Sequence, residues 1–240
     1  MILPLLIFNA RPAAGKSEII AFLREIALEE RMTRFHIGSM KVLDDFPMLW
    51  AWFEEDGLLR EHFQHHGLHT DAQGYFLYGD MLWNLLIRRL SLEVDKWLRD
   101  ARENHTVIIE FSRGVEHGGY RSAYAHLSEA ILRQAACLYV HVSYEESLRK
   151  NRQRYNPERA DSILEHGLPD EKMAHLYAED DWYDFTATDT SYVGVGGFRL
   201  PYMIFENEDD VTTAGGEALG ERLETTMRRL WTLWKQRPQA

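Results

Sequence analysis

The stretch that decides the fold is Ala10-Arg11-Pro12-Ala13-Ala14-Gly15-Lys16-Ser17. An apolar run over 1–8 precedes it and predicts a buried strand instead of a leader segment. Apolar side chains recur at helical spacing over 16–30, directly after it. A strand, a turn and a helix in this order create a concavity of backbone N–H groups at a helix N-terminus, which is a site for phosphate groups.

The residue types in this loop fit the phosphates of a nucleotide. Gly15 allows the backbone to approach a phosphate closely, Lys16 can reach the β- and γ-phosphates, and the Ser17 hydroxyl can ligate Mg²⁺. The alternative is a structural turn with an exposed lysine. The predicted nucleotide-binding residues of the loop are Ala13, Ala14, Gly15, Lys16, Ser17 and Glu18.

Composition restricts the partners and the compartment. The 240 residues carry a formal net charge of -11, which argues against nucleic acid and anionic membranes as partners because both are polyanions. No apolar run approaches the roughly 20 residues of a membrane-spanning helix. Cys137 is the only cysteine, so an internal disulfide cannot form, and we expect a reducing cytoplasm.

Strands and helices alternate along the chain. Besides 1–8, strands are predicted at 35–37, 106–111, 136–142 and 201–205, with helices between most of them and an exposed loop at 184–197. This alternation predicts one α/β domain over 1–240, with helices on both faces of a central, mainly parallel sheet of about five strands.

The loop and the order of the segments resemble the P-loop kinases of the adenylate-kinase-like group, which includes nucleoside and nucleotide kinases. Ala10 departs from the usual pattern, which has glycine there. The resemblance implies the three-layer P-loop fold, a helical insertion at about 44–100 that encloses the acceptor, and a short lid at about 149–180. It also implies ATP and Mg²⁺ as cofactors, with GTP as the alternative nucleotide.

Glu110 ends a predicted strand, at the edge of an open α/β sheet where ligands bind. The resemblance implies that this acid holds Mg²⁺ or takes the proton of the acceptor hydroxyl, and that Arg113 contacts the acceptor. We therefore predict Lys16, Glu110 and Arg113 as catalytic, and Ser17 and Glu110 as metal-binding. The alternative is that Glu110 and Arg113 flank a core strand at the surface.

A dense basic helix follows the strand at 136–142. The resemblance implies that it begins the lid, with Arg149 and Arg152 as catalytic residues directed at the phosphates and Arg154 as a nucleotide-binding residue, while Arg159 is a further candidate. The alternative is a solvated basic helix. Asn207 resembles the asparagine that introduces the loop beside the nucleotide base, and its alternative is to close a turn.

The acceptor side has weaker signals. Asp44 and Asp45 supply acids after the second strand, and Trp50 or Trp52 could present a ring to a ligand, although aromatic residues at helical spacing are more often core. The histidines at 62, 65, 66 and 69 have a spacing that could bind a metal, with a wet surface as the alternative reading.

Two functions from different classes follow. The first is a Mg-ATP-dependent phosphotransferase that moves the γ-phosphate to a small hydroxyl- or phosphate-bearing acceptor, with nucleosides and nucleotides among the candidates. The second is a nucleotide-binding regulatory or switch protein with little or no kinase turnover, and a phosphate-binding relic without catalysis is a third reading. A nucleotide and a small acceptor are the expected partners, and the sequence is compatible with a homodimer.

Overall fold

The computed structural model describes residues 1–100, 103–154 and 167–238. Its sheet has the strand order β2-β3-β1-β4-β6-β5, and every neighbouring pair is parallel except the antiparallel pair β5 and β6. The strands are β1 (Leu5–Ala10), β2 (Ser39–Asp44), β3 (His105–Phe111), β4 (Ala135–His141), β5 (Tyr192–Val195) and β6 (Phe198–Glu206). The three-layer α/β fold with a mainly parallel sheet is confirmed.

Helices cover both faces of the sheet. They are α1 (Lys16–Glu25), α2 (Leu28–Arg34), α3 (Phe46–Phe63), α4 (Met81–Asp100), α5 (Gly119–Ala125), α6 (Glu129–Gln134), α7 (Tyr144–Arg154), α8 (Asp170–Tyr177), α9 (Trp182–Thr186), α10 (Val211–Ala214) and α11 (Gly216–Gln236), with a 3₁₀ turn at Val115–His117. Within the three described ranges, no helix is both long and apolar enough to cross a bilayer.

The central strand β1 explains the layering. All six of its residues are buried, and successive side chains point to opposite faces. Leu6 and Phe8 pack in the apolar cluster formed with α1 and α11, whereas Leu5 and Ile7 pack with α4, α5 and α6. A strand with apolar side chains on both faces is stable only between two helical layers, which is why the N-terminal run occupies the centre of the sheet.

The second strand is not at 35–37, as the sequence predicts, but at Ser39–Asp44. Phe35 and Ile37 are fully buried, yet they pack under α1 and α11 as single anchors, and His36 between them has a left-handed φ of 57°. β2 is an edge strand with no fully buried residue, so its hydrophobic pattern is weak. Burial alone therefore indicated the wrong segment.

Two other predicted elements differ. The helix expected over 16–30 is broken after Glu25, because the buried Arg31 donates hydrogen bonds to Leu23 O and Ile26 O and so satisfies carbonyls at the end of α1. The loop expected over 184–197 instead contains the end of α9 and the antiparallel strand β5. The sheet thus has a sixth strand beside the five parallel ones.

The predicted insertion at 44–100 consists of α3, α4 and the segment between them. It is only partly separate from the core, since α4 packs Ile87, Leu90 and Val94 against the sheet. A smaller apolar cluster joins α3 to the start of α4 and contains Leu49, Trp52, Leu82, Trp83 and Leu86. Of the predicted lid at 149–180, residues 155–166, including Arg159, lie outside the described residues.

Candidate nucleotide and acceptor site

Gly15 is required by the geometry of the loop between β1 and α1. Its φ of 111° is one that side-chain-bearing residues rarely adopt. A Cβ at this position would also lie 2.5 Å from Thr212 Oγ1 and 2.8 Å from Asn207 Nδ2. The loop therefore passes closely under the segment that follows β6, with room for backbone only.

The alanine that departs from the usual loop pattern is accommodated without strain. Ala10 ends β1 as a paired strand residue, is fully buried, and accepts a hydrogen bond at its carbonyl from Tyr120 Oη at 3.0 Å. The left-handed conformation in this loop falls instead on Ala13, with φ 56°, and on Gly15. Ala10 needs no glycine because its backbone is extended.

Asn207 holds the loop from the side of β6. The buried side chain donates from Nδ2 to Ala14 O at 2.9 Å and to Thr212 Oγ1 at 2.8 Å, and Oδ1 accepts from Thr212 N at 3.1 Å. Its amide is thus occupied by protein partners. The nucleotide-binding role predicted for Asn207 stays a prediction, and the contacts here indicate a residue that positions the loop.

Arg11 holds the loop from the opposite side. Its guanidinium donates to Tyr177 O at 3.3 Å and to Ala178 O at 3.2 Å, and it pairs with Asp180 at 2.5 Å. These residues lie at and just after the end of α8. Nothing in the sequence indicates this contact, because Arg11 and Tyr177 are 166 residues apart along the chain.

Lys16 and three carboxylates meet at the carboxyl edge of the sheet. Lys16 Nζ donates to Ser112 Oγ at 2.8 Å. Burial lowers the pKa of Lys16, and the nearby Glu110 and Asp44 oppose that shift. Asp44 and Glu110 are register partners in the parallel pair β2 and β3, and Asp45 follows directly. Parallel pairing is therefore what brings these acids together.

The pKa values of Glu110 and Asp44 lie close to neutral pH. Burial raises the pKa of Glu110 to about 7, with repulsion from Asp44 as the next cause. Burial likewise raises the pKa of Asp44 to about 6, with repulsion from Asp45 next. A carboxyl group with a pKa near 7 is suited to taking up a proton at neutral pH, as a general base does.

Arg113 is buried beside these acids. It is 2% exposed, pairs through Nη1 with Asp45 Oδ2 at 2.6 Å, and donates to Ser112 O at 2.7 Å and to Trp83 O at 3.1 Å. Its Nε is buried without a hydrogen-bond partner among the described residues. The guanidinium also lies 5.1 Å from the centre of the Trp83 ring.

His117 also packs against the Trp83 ring. It stacks on Trp83 with 3.8 Å between ring centroids, contacts Tyr177 edge-on, and accepts at Nδ1 from Gly114 N at 3.2 Å. Burial, and next the charge of Arg113, lower the pKa of His117 to about 2. The imidazole is therefore neutral at physiological pH.

One cavity of about 480 Å³ joins these features. On one side it is lined by 12–18 of the loop and by Lys150, Asn151, Gln153, Arg154, Leu168 and Thr213. On the other side lie Asp44, Asp45, Phe46, Leu49, Trp83, Phe111, Arg113 and Tyr177, which we call the acceptor chamber. Glu110 and Ser112 also line the cavity.

The basic helix α7 brings only some of its cations to this cavity. Lys150 and Arg154 line it, and Lys150 Nζ donates to Asp210 Oδ1 at 2.5 Å. Arg149 is directed at Glu146 and Asp210, and Arg152 at Asp170 at 2.6 Å. Neither Arg149 nor Arg152 lines the cavity, so the structure does not bring these two predicted catalytic residues to the site.

The predicted aromatic ligands and the histidine group also lie elsewhere. Trp52 is buried in the small cluster between α3 and α4 and stacks on His69, and neither Trp50 nor Trp52 lines the cavity. The chamber uses Phe46 and Trp83 instead. α3 ends at Phe63, so the four histidines do not share a helix face. No group of three or more His, Cys, Asp or Glu side chains within 1–100, 103–154 and 167–238 is arranged for a metal ion.

The fold is the P-loop fold predicted from the sequence. The phosphate loop follows the central strand, an acid lies near the end of the neighbouring strand, and the strand order is β2-β3-β1-β4-β6. No protein-family model matches the chain, and no curated protein matches it. The solved structures that align with it include three that share little sequence identity with it. They are a gluconokinase from Sinorhizobium meliloti 1021 (12% identity, 98% of this chain and 97% of that one, TM-score 0.46), a shikimate kinase from Bacteroides thetaiotaomicron (16%, 96% and 98%, 0.41) and TT1252 from Thermus thermophilus (16%, 97% and 98%, 0.37).

Proposed function

We propose that the protein is a Mg-ATP-dependent small-molecule kinase that transfers the γ-phosphate to a hydroxyl group of a small acceptor. The observation that carries this proposal is the continuity of the cavity, in which the phosphate loop and the acceptor chamber open into the same space of about 480 Å³. A protein that only senses a nucleotide needs the first half of this cavity. A phosphotransferase needs both.

The residues of this chain fit ATP and Mg²⁺. The loop has no room for a Cβ at Gly15, and Lys16, Ser17 and Glu110 all line the cavity. Protein sites for Mg²⁺ commonly supply one or two oxygens and leave the others to phosphates and water, which is the donor set that Ser17 and Glu110 offer. The bound ion neutralises charge on the phosphates.

Each polar group has a task in this proposal. Glu110 either holds Mg²⁺ or takes the proton of the acceptor hydroxyl, and its pKa of about 7 in the metal-free protein suits the second role. Lys16 neutralises charge on the transferred phosphoryl group from the loop side. Lys150 and Arg154 extend that positive lining along α7. The catalytic roles of Arg149 and Arg152 stay predictions, and they require both side chains to leave the carboxylates that they contact here.

The test is acceptor-dependent formation of ADP across a panel of nucleosides, nucleotides, sugars and polyols, with Mg-ATP and with Mg-GTP. We expect at least one acceptor to raise the rate above hydrolysis, and Lys16→Ala to lower that rate by about a hundred-fold or more. Lys96→Ala is the matched control, because Lys96 is an exposed residue of α4 that pairs with Glu93 at 2.7 Å and does not line the cavity. Hydrolysis that no acceptor stimulates, equal in Lys16→Ala, would contradict the proposal.

Location and assembly remain predictions. A homodimer is tested by sedimentation of the purified chain.

A further inference from the structure

We infer that the acceptor carries no negative charge: it is a small hydroxyl compound, neutral or cationic, with a flat or apolar face. This inference deepens the proposed kinase function and rests on it. It concerns the acceptor chamber, where the sequence left both hydroxyl-bearing and phosphate-bearing compounds open.

The first observation is that the cation of the chamber already has an anionic partner. Arg113 pairs with Asp45 at 2.6 Å, and its other terminal nitrogen donates to a backbone carbonyl, that of Trp83. An anionic acceptor would have to displace Asp45, which is itself only 6% exposed. Leaving a buried carboxylate without its partner costs more than about a hundred-fold in affinity.

The second observation is the balance of charge. Among the described residues that line the chamber, Asp44 and Asp45 are acidic and Arg113 is basic, and Glu110 adds a further acid to the same cavity. Lys16 lies on the side of the phosphate loop, where the nucleotide requires it. His117 behind Trp83 contributes no positive charge at neutral pH. A phosphate or carboxylate entering this chamber meets more acids than bases.

The third observation is the nature of the remaining wall. Phe46, Leu49, Trp83 and Phe111 present apolar and aromatic surface to the cavity. A molecule with a flat or apolar face can pack against these side chains without bringing a charge.

The first experiment measures the charge preference without turnover. The phosphate loop is filled with a non-hydrolysable ATP analogue and Mg²⁺, and inorganic phosphate is titrated into wild type, Asp45→Asn and Asp44→Asn by calorimetry. Asparagine at 45 can still accept from Arg113 but no longer neutralises it. We expect Asp45→Asn to bind phosphate at least about ten-fold more tightly than wild type, the size of one charge-assisted hydrogen bond.

Asp44→Asn is the matched control, since it removes one negative charge from the same chamber without releasing Arg113. Equal gains in the two asparagine variants, or tight phosphate binding by wild type, would overturn the inference. The loss of Asp45 could prevent folding, so a second measurement uses wild type alone. It compares phosphorylation of glucose, gluconate and glucosamine, and of thymidine and thymidine monophosphate.

In each set we expect the neutral or cationic member to have at least a hundred-fold higher kcat/KM than the anionic one. An anionic member that is the best of its set overturns the inference and leaves the kinase function intact. If no compound in any panel is phosphorylated, the proposed function fails, and the phosphate titration alone decides whether the chamber rejects anions.

Discussion

Replacing Asn207 by alanine tests whether this residue positions the phosphate loop or contacts the base of the nucleotide. The substitution removes three hydrogen bonds, to Ala14 O, Thr212 Oγ1 and Thr212 N, all of them buried. At about 1 kcal/mol each, the free energy of unfolding falls by about 3 kcal/mol. For a chain of this size that loss lowers Tm by about 6–12 °C.

The effect on nucleotide binding distinguishes the two roles. A residue that positions the loop serves every nucleoside triphosphate, because the loop contacts phosphates, which ATP and GTP share. Re-ordering one or two loop residues on binding costs on the order of 1–2 kcal/mol, so both dissociation constants rise by about ten-fold. A residue that contacts the base would change the ratio of the two constants.

Calorimetric titration of Mg-ATP and Mg-GTP, together with thermal melts, measures both quantities. Asn84→Ala is the control, since it removes part-buried side-chain hydrogen bonds to Asp80 and Ser122, and Asn84 does not line the cavity. It should lower Tm without changing either dissociation constant. The positioning role would be refuted if Asn207→Ala changed the ratio of the dissociation constants for ATP and GTP. It would also be refuted if Tm fell by less than about 2 °C.

Two further predictions follow from the same site. Because the pKa of Glu110 in the fold, about 7, lies above its ordinary value, the folded state binds more protons between about pH 4.5 and 7, and stability falls as pH rises through that window. In urea unfolding without nucleotide or Mg²⁺, Glu110→Gln should remove on the order of 3 kcal/mol of that fall, and an unchanged pH dependence would contradict the assignment. Gly15→Ala should abolish binding of Mg-ATP because its Cβ meets Thr212, whereas Gly57→Ala, in open space on α3, should raise stability by about 0.5–1 kcal/mol. Calorimetry and urea unfolding check this pair, and retained ATP binding in Gly15→Ala would count against the loop geometry.

The features that sequence predicts well are those fixed by local chemistry. The loop at 10–17 can be identified because glycine, lysine and serine at that spacing together suit the binding of phosphate groups. The strand β1 can be identified because a central strand is apolar on both faces. The sequence predicts that Glu110 lies at the edge of the sheet where ligands bind, because the carboxyl ends of parallel strands meet at that edge. None of these inferences needed to know which distant segments meet.

The acceptor chamber could not be predicted in the same way. Trp83 lies in the helical pattern of α4, where nothing distinguishes a ring that faces a cavity from one that faces the core. Tyr177, at the end of α8, lines the acceptor chamber, and Arg11 donates hydrogen bonds to the backbone carbonyls of Tyr177 and Ala178. Every residue has a backbone carbonyl, so the sequence does not indicate which carbonyls accept hydrogen bonds from a guanidinium.

The basic helix α7 illustrates the limit most clearly. Its residues form two cationic ridges, one with Arg149 and Arg152 and one with Lys150 and Arg154, and from sequence the charge density predicts that both ridges contact phosphates. Only the second ridge lines the cavity. In a chain with 38 acidic residues, a cation on the ridge of Arg149 and Arg152 has carboxylates nearby to pair with, as Arg152 pairs with Asp170. Positive charge in an acidic protein therefore indicates a phosphate site only on the face of the helix that the fold turns toward the loop.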